Sequence, residues 1–309
     1  MNNPLVSVII PNYNHARFLD ERIQSVLNQT YQNFELIILD DKSTDNSVEV
    51  INQYKDNPHF SHIVVNEENS GSTFKQWHKG FELAKGDVVW IAESDDSCDT
   101  DMLETLIEGY VENNAVLAFC RSCKYDVDGK KSVYAHQNFL YRDISMSGKD
   151  FISNYMVQYN AVANASSAIF NRNIAVSLDK QYMNMQGEGD WLFWIELMEH
   201  GNVCFYNKEM NLFRFHNMNT TNTLAYKGVG DIEHKYIVDY LANNNLIDSR
   251  RYKEEIIYYV TIILRYQKYE SQEVKRRVLN VWDRYRYYRT YLFLGTIKDE
   301  LLFYLNNIR

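Results

Sequence analysis

Three carboxylates within four residues, Glu93-Ser94-Asp95-Asp96, follow directly on the apolar run Val88-Val89-Trp90-Ile91-Ala92. A short apolar, β-branched run bounded by polar residues reads as a strand covered on both faces. In an extended segment Glu93 and Asp95 point to one side, so two carboxylates converge at the strand's carboxyl end while Asp96 starts the next turn. Like charges this close repel by roughly 1 kcal/mol in water and about 4 kcal/mol near a protein surface, so protons or a cation must settle the cluster. A divalent cation is the more useful answer.

The elements that would carry this cluster alternate. Leu5 to Ile10 reads as a first strand ended by Pro11 and the turn residues Asn12 and Asn14; a helix follows with Leu19, Ile23, Val26 and Leu27 on one face. Phe34 to Leu39 is a second strand ending in Asp40-Asp41, then a capped helix through Val48 and Ile51, then a third short strand at Ile63 to Val65. Phe74, Trp77, His78 and Phe81 fall at helical spacing, which assigns His78 to packing. Three such alternations predict an α/β fold with a mostly parallel sheet and helices on both faces, in which ligands sit outside the carboxyl ends of the strands. The polar residues after strands one, two and four lie there. No GxGxxG follows the first strand and no GxxxxGK[ST] occurs, so neither a dinucleotide fingerprint nor a Walker loop is present. Beyond an irregular stretch that includes Asn160 to Ser167, Asp190 to Met198 reads as an amphipathic helix, followed by two strands at Val203 to Tyr206 and Leu212 to Phe215.

The 309 residues suffice for one large domain or two smaller ones, and 45% hydrophobic against 24% charged residues excludes a disordered chain. A net charge of −9 argues against nucleic acid as a partner. From Arg250 onward, however, 13 Lys and Arg stand against 7 Asp and Glu, so an acidic body carries a basic tail. The four cysteines, Cys98, Cys120, Cys123 and Cys204, are too few for a disulfide framework, and the Cys120/Cys123 pair alternates as a strand does. The amino terminus lacks a basic segment and has too short an apolar run for a signal peptide, and no stretch reaches the ~20 apolar residues of a membrane span. The expected location is cytoplasmic.

Several separated motifs together resemble family 2 glycosyltransferases of the GT-A fold. SVIIPNYNHARFLDERIQSVLNQTYQNFELIILDDKSTDNSVEVI is similar to that family's opening, the ESDD at 93–96 resembles its DxD-type motif, GDWLFWIELMEHG at 189–201 its ED-containing helix, and FRFHNMNTT at 213–221 the segment that closes the site. The resemblance implies inverting transfer of a sugar from a nucleotide diphosphate donor, with UDP-sugar the expected one and Mg²⁺ or Mn²⁺ holding the diphosphate. It implies that Asp95 binds the metal, with Glu93 standing where Asp is usual and Ser94 beside it on the donor. Pro11 and Tyr13 would frame the nucleobase, Asp41 would read its edge, and Lys75 is the nearest basic residue to a phosphate-facing segment. Asp190 matches the acid that takes the acceptor's proton, although Gly189 replaces the Glu often found before it; the bland reading of Asp190 is a helix N-cap. His216 matches a His that completes the metal shell or touches diphosphate, and Arg214 and Thr220 would contact phosphate. Trp191, Trp194, Ile195 and Met198 read as a core stripe, with one Trp available to stack on a sugar.

The expected division is a glycosyltransferase domain over 1–230 and a helical, basic, Tyr- and Arg-rich extension over 231–309, in which Ile256, Val260, Ile263 and Leu264 share one face. Basic residues among aromatics from Trp282 to Tyr291 suit peripheral contact with an anionic membrane or a lipid-linked acceptor; a packed helical cap or homodimer contact is the alternative. Two other functions fit the same residues. A sugar-phosphate nucleotidyltransferase would release pyrophosphate rather than a nucleoside diphosphate, and a catalytically inactive nucleotide-sugar-binding protein would account for Glu93 and Gly189.

Overall fold

The computed structural model describes residues 3–126, 130–133, 137, 139–214 and 224–282. The chain forms two compact units, one of residues 1–185 and 189–219, the other of residues 186–188 and 220–309.

The first unit begins with the predicted alternation: β1 (Val6–Asn12), α1 (Ala16–Leu27), β2 (Phe34–Asp40), α2 (Ser47–Asn52), β3 (Phe60–Val65), α3 (Thr73–Leu83) and β4 (Val88–Ile91). It continues through β5 (Ser97–Cys98), α4 (Met102–Glu112), β6 (Ala115–Tyr125), β7 (Lys131–Val133), β8 (Ile144–Ser147), α5 (Gly148–Tyr155), β9 (Ala168–Asn171), α6 (Arg172–Ser177), α7 (Gly189–Met198) and β10 (Asn202–Arg214). The sheet order is β3-β2-β1-β4-β9-β6-β10-β5, with β7 on β6 and β8 on β10. Strands β3, β2, β1 and β4 are parallel, and β9 enters antiparallel between β4 and β6.

Alternation along β1 explains how the sheet is clothed. Val6, Val8 and Ile10 join Leu19, Ile23 and Val26 of α1 and Leu103 and Leu106 of α4 in one buried cluster. Elsewhere the core is aromatic: Phe193 lies 5.8 Å from Phe81 and 5.3 Å from Phe170, and Phe170 lies 5.5 Å from Trp194. Pairs of this kind contribute roughly 0.5–1.5 kcal/mol beyond the area they bury.

Three local expectations are corrected. Pro11 does not end β1; pairing with β4 stops at Ile9 and Ile91, so beyond it the strand is paired only with β2, where a residue without an N–H is tolerated. The two strands expected after α7 are one, β10, whose register on β6 shifts on either side of Glu209, beside the polar Asn207-Lys208 that reads as a break. Helix α7 is not amphipathic: every residue in it except Asp190 is buried, because it is packed by β6, α5 and the short helical turn at Lys180–Asn184.

That burial leaves Glu196 in a costly position. Its carboxyl is pushed up to about 8 by desolvation first and then by Asp179 and Glu199, and its Oε2 is buried without a partner. An unfolded Glu titrates near ~4.3. Between that value and about 8 the folded chain holds a proton the unfolded chain has lost, so stability falls as pH rises through this window. Glu196→Gln is therefore expected to raise Tm at pH 8 and to leave it nearly unchanged at pH 4.5; equal effects at both pH values in thermal melts would refute the assignment.

The second unit contains α8 (Val229–Asn243), α9 (Ser249–Arg265) and α10 (Gln272–Trp282). Its core is Val238, Ile256, Val260, Ile263, Val274, Val278 and Trp282. Leu264, expected on the apolar face, is exposed, and Trp282, expected in a basic run, is fully buried with its ring stacked 4.6 Å from Tyr259. The remainder of that run lies outside the described residues. Within the same unit the Glu233 carboxylate accepts the backbone N–H groups of Gln186, Gly187 and Glu188 at 2.7, 2.8 and 2.8 Å. No helix among the described residues is long and apolar enough to cross a membrane.

Candidate active site

Strand β4 delivers the acidic cluster, but it ends at Ile91, and Asp96 N–H donates to Glu93 O at 3.2 Å, closing a turn. The two-residue alternation expected of Glu93 and Asp95 therefore stops, and the carboxylates separate into different settings. Glu93 turns back to the fold, where Oε1 accepts Trp77 Nε1–H from α3 at 2.8 Å and its N–H donates to Ser166 Oγ at 3.0 Å. Asp96 is buried. It accepts from Asn164 Nδ2 (2.9 Å), Ser166 Oγ (2.7 Å) and the backbone N–H of Arg214 (3.0 Å), which makes it the brace of the turn. Asp95 lies at the turn's tip, partly exposed, and its backbone carbonyl accepts from Arg214 Nε at 2.9 Å. Ser94 Oγ meets His15 Nδ1 at 2.9 Å.

The electrostatics follow from this crowding. Burial and then Asp95 push Glu93 up to about 8, and the same two causes raise Asp96. Arg22, fully buried with its guanidinium 5.1 Å from the Trp90 ring centroid, opposes both shifts, while its Nε and Nη2 have no hydrogen-bond partner. One guanidinium thus offsets these shifts only in part, and in the absence of a further cation protons relieve the crowding. No three His, Cys, Asp or Glu side chains among the described residues form a metal cage of their own. An acidic turn with crowded carboxyls and few protein ligands fits Mg²⁺ or Mn²⁺, hard cations that keep waters and take substrate phosphates as ligands. His216, the other expected metal ligand, and Thr220 lie outside the described residues.

The ends of β1 and β2 form the neighbouring part of the site. Pro11 is buried and Tyr13 is 47% exposed, leaving its ring available. Asn14 and Lys42 adopt left-handed φ values of 58° and 62°, and Asn14 suits this because its Oδ1 accepts Thr44 N–H at 2.7 Å. Asp40 binds Asn12 and Ser43. The expected base reader, Asp41, is buried and accepts from Asn66 Nδ2 (2.6 Å), Ser70 N (2.9 Å), Ser70 Oγ (2.8 Å) and Gln76 Nε2 (2.9 Å). It anchors the whole 66–76 segment. Lys75, on that segment, is exposed with Nζ 3.4 Å from Ser70 O.

Asp190 sits in the first turn of α7, half-buried, with Oδ2 accepting Asn160 Nδ2–H at 2.9 Å. The helix is fixed in rotation by Trp191 Nε1–H donating to Met156 O at 2.9 Å. Trp191 and Trp194 are both buried, so neither can stack on a sugar as expected. Gly189 has a steric reason: a Cβ there would come within 2.5 Å of Tyr182 O and 2.6 Å of the Phe74 ring. The residue before the acid is small because the Tyr182 carbonyl and the Phe74 ring occupy the space.

Arg214 is not free for phosphate. Its guanidinium lies between Phe18 (4.6 Å) and Tyr125 (4.3 Å), pairs with Glu21, and is almost fully buried. Arg214→Lys keeps the charge but loses the planar fork and its stacking, and is expected to lower stability by about 1–3 kcal/mol in denaturant titrations; a change under about 0.5 kcal/mol would show that the guanidinium does not brace the turn. Sequence reasoning missed His15, Trp77, Asn160, Asn164 and Ser166. The last three come from the irregular stretch, where a density of Asn and Ser without periodicity is the one available signal.

The family model for glycosyl transferase family 2 matches residues 7–175. The chain belongs to that family. A Haemophilus influenzae protein named as an uncharacterized glycosyltransferase is 37% identical over 131 residues, covering 42% of this chain and 52% of that protein. A putative teichuronic acid biosynthesis glycosyltransferase of Bacillus subtilis, TuaG, is 35% identical over 143 residues (45% and 56%). The poly(ribitol-phosphate) β-N-acetylglucosaminyltransferase TarP of Staphylococcus aureus is 36% identical over 148 residues (45% and 43%). The matched segments span about half the length of these curated relatives. Among solved structures, S. aureus TarS 1-349 in complex with UDP-GlcNAc superposes with a TM-score of 0.68 at 16% identity, covering 90% of this chain and 80% of that one. The family 2 chain therefore has the GT-A type fold.

Proposed function

We propose that this family 2 member is an inverting, metal-dependent glycosyltransferase that moves a sugar from a nucleotide diphosphate donor, a UDP-sugar, to a hydroxyl of a saccharide or lipid-linked acceptor in polysaccharide or glycoconjugate assembly. The observation that carries this reading is the division of labour in the acidic turn: Asp96 is buried as a brace, Glu93 is held by Trp77, and Asp95 stands partly exposed at the tip and helps push both neighbours' titration up. Asp95 would hold the cation, with His216 as a further ligand, and the bound cation would stabilise negative charge on the departing diphosphate. Pro11, Tyr13 and Asp41 would receive the nucleobase, and Ser94 and Lys75 would face the donor.

Transfer needs one proton removed. The acceptor oxygen bonds to the anomeric carbon as the bond to the diphosphate oxygen breaks on the opposite face, and the hydroxyl proton passes to the Asp190 carboxylate. Asn160 orients that carboxylate through Oδ2. The names of TarP and TuaG, and the UDP-GlcNAc in the TarS structure, support a UDP-sugar and a polymeric acceptor of the poly(ribitol-phosphate) or teichuronic acid kind. The test is a thermal-shift series with UDP-GlcNAc and UDP-glucose. With Mn²⁺ at least one should raise Tm by several degrees, as a ligand selective for the native state must, and EDTA should abolish the rise. Equal shifts with and without the cation would overturn the metal role, and no shift with either sugar would overturn the donor class.

A further inference from the structure

At the opposite end of the strands from the Glu93–Asp96 turn, still within the first unit, a cavity of about 460 Å³ opens where β4, β6 and β10 begin. The four residues of β4, roughly 13 Å at about 3.3 Å each, separate it from the acidic turn, so it is not part of the candidate active site. Val88 and Val116 form an apolar floor. Around the rim stand Asp87, Asn114 and His200, all exposed, with Tyr110 forming part of the wall. The Tyr110 hydroxyl accepts from Asn171 Nδ2 at 3.3 Å, which leaves its own proton free to donate outward.

This lining selects a ligand class. No Lys or Arg lines the cavity and one carboxylate does, so a phosphate or an acidic saccharide would meet repulsion and no compensating cation. A purely apolar guest would bury the rim's polar groups unpaired, at about 1–3 kcal/mol each. A neutral polyhydroxylated ring satisfies both constraints. Its hydroxyls donate to Asp87 and accept from the Asn114 amide and the Tyr110 hydroxyl, while its C–H face lies on the tyrosine ring and the valine floor. The volume lies within the ~300–1,000 Å³ of sites for drug-sized ligands, enough for a short oligosaccharide.

We propose that this cavity is a second saccharide site that binds a neutral oligosaccharide away from the transfer centre. It rests on the lining alone; with the function proposed above, it would retain a growing chain between additions. The test uses the full chain saturated with UDP and Mn²⁺, titrated by calorimetry or ligand-observed NMR with maltotriose, cellotriose and chitotriose. At least one should bind with Kd of about 1–10 mM. Asp87→Ala and Asn114→Gly should each weaken binding fivefold or more; both side chains are exposed, and the positive φ of Asn114 accommodates glycine, so the fold is kept. Asn202→Trp, which fills the mouth, should abolish binding. No binding by any of the three trisaccharides, binding indifferent to these substitutions, or binding found only when UDP is omitted would each overturn the proposal. UDP affinity measured on the same samples separates a failure of the donor reading from a failure of the cavity.

Discussion

Asp190→Asn should reduce sugar transfer by about 10²–10⁴-fold, the usual contribution of a positioned general base, equivalent to roughly 3–5 kcal/mol of transition-state free energy. The replacement is isosteric, and the Asn160 amide can still donate to the new amide's oxygen, so the turn and the helix should persist. In the proposed mechanism donor binding falls to other residues. UDP-sugar affinity and the cation-dependent thermal shift should therefore stay within about twofold of wild type while release of UDP to an acceptor falls. Normal turnover by this variant would remove Asp190 from the mechanism and leave it as a first-turn acid of α7. Loss of donor affinity in step with turnover would place it on the donor instead.

Asp95→Asn should have two effects of opposite sign. The cation-dependent donor shift and turnover should both fall, by about 10²-fold or more in turnover, because the partly exposed carboxylate at the turn's tip is gone. Without donor, the protein should become more stable. Asp95 is the second cause of the upward push on both Glu93 and Asp96, and a carboxyl with a raised folded-state pKa costs stability above its unfolded value near ~4. Removing that repulsion should raise Tm at pH 8, by on the order of 1 kcal/mol of stability, with little change at pH 4. An unstabilised variant at pH 8 would contradict the electrostatic account of the turn, and retained cation dependence would contradict the metal assignment.

Much of the first unit was legible because two periodicities and the chain's polar punctuation agree. Val6, Val8 and Ile10 alternate, Leu19, Ile23 and Val26 recur at helical spacing, and the polar residues cluster after β1, β2 and β4 as a parallel sheet requires. Packing was less visible. The residues of α7 contain a polar first turn and read as one-sided, whereas what covers the second side is the turn at Lys180–Asn184, a segment without periodicity of its own. Likewise, its place in the FRFHNMNTT segment made Arg214 a phosphate ligand; only the positions of Phe18 and Tyr125, remote in sequence, reveal it as a buried strut. Asp41 shows the same limit. Its type and place suggest base recognition, and nothing in them announces that four donors from the 66–76 segment also converge on it. The side chains that hold Asp96 and Asp190 come from a stretch with no regular pattern, so nothing local announced them.

The contact between Gly189 and Phe74 carries an implication for how such chains vary. A side chain at 189 would meet the Tyr182 carbonyl as well as the phenyl ring at 74, so residue 189 is tied both to the ring and to the turn at Lys180–Asn184. A family member with Glu at the place of Gly189 should carry a smaller residue at the place of Phe74 and a shifted turn at the place of Lys180–Asn184, and exchanging residues 189 and 74 alone should leave the clash with the Tyr182 carbonyl. A search that demands an acidic pair at this helix would pass over every chain that has taken the aromatic solution.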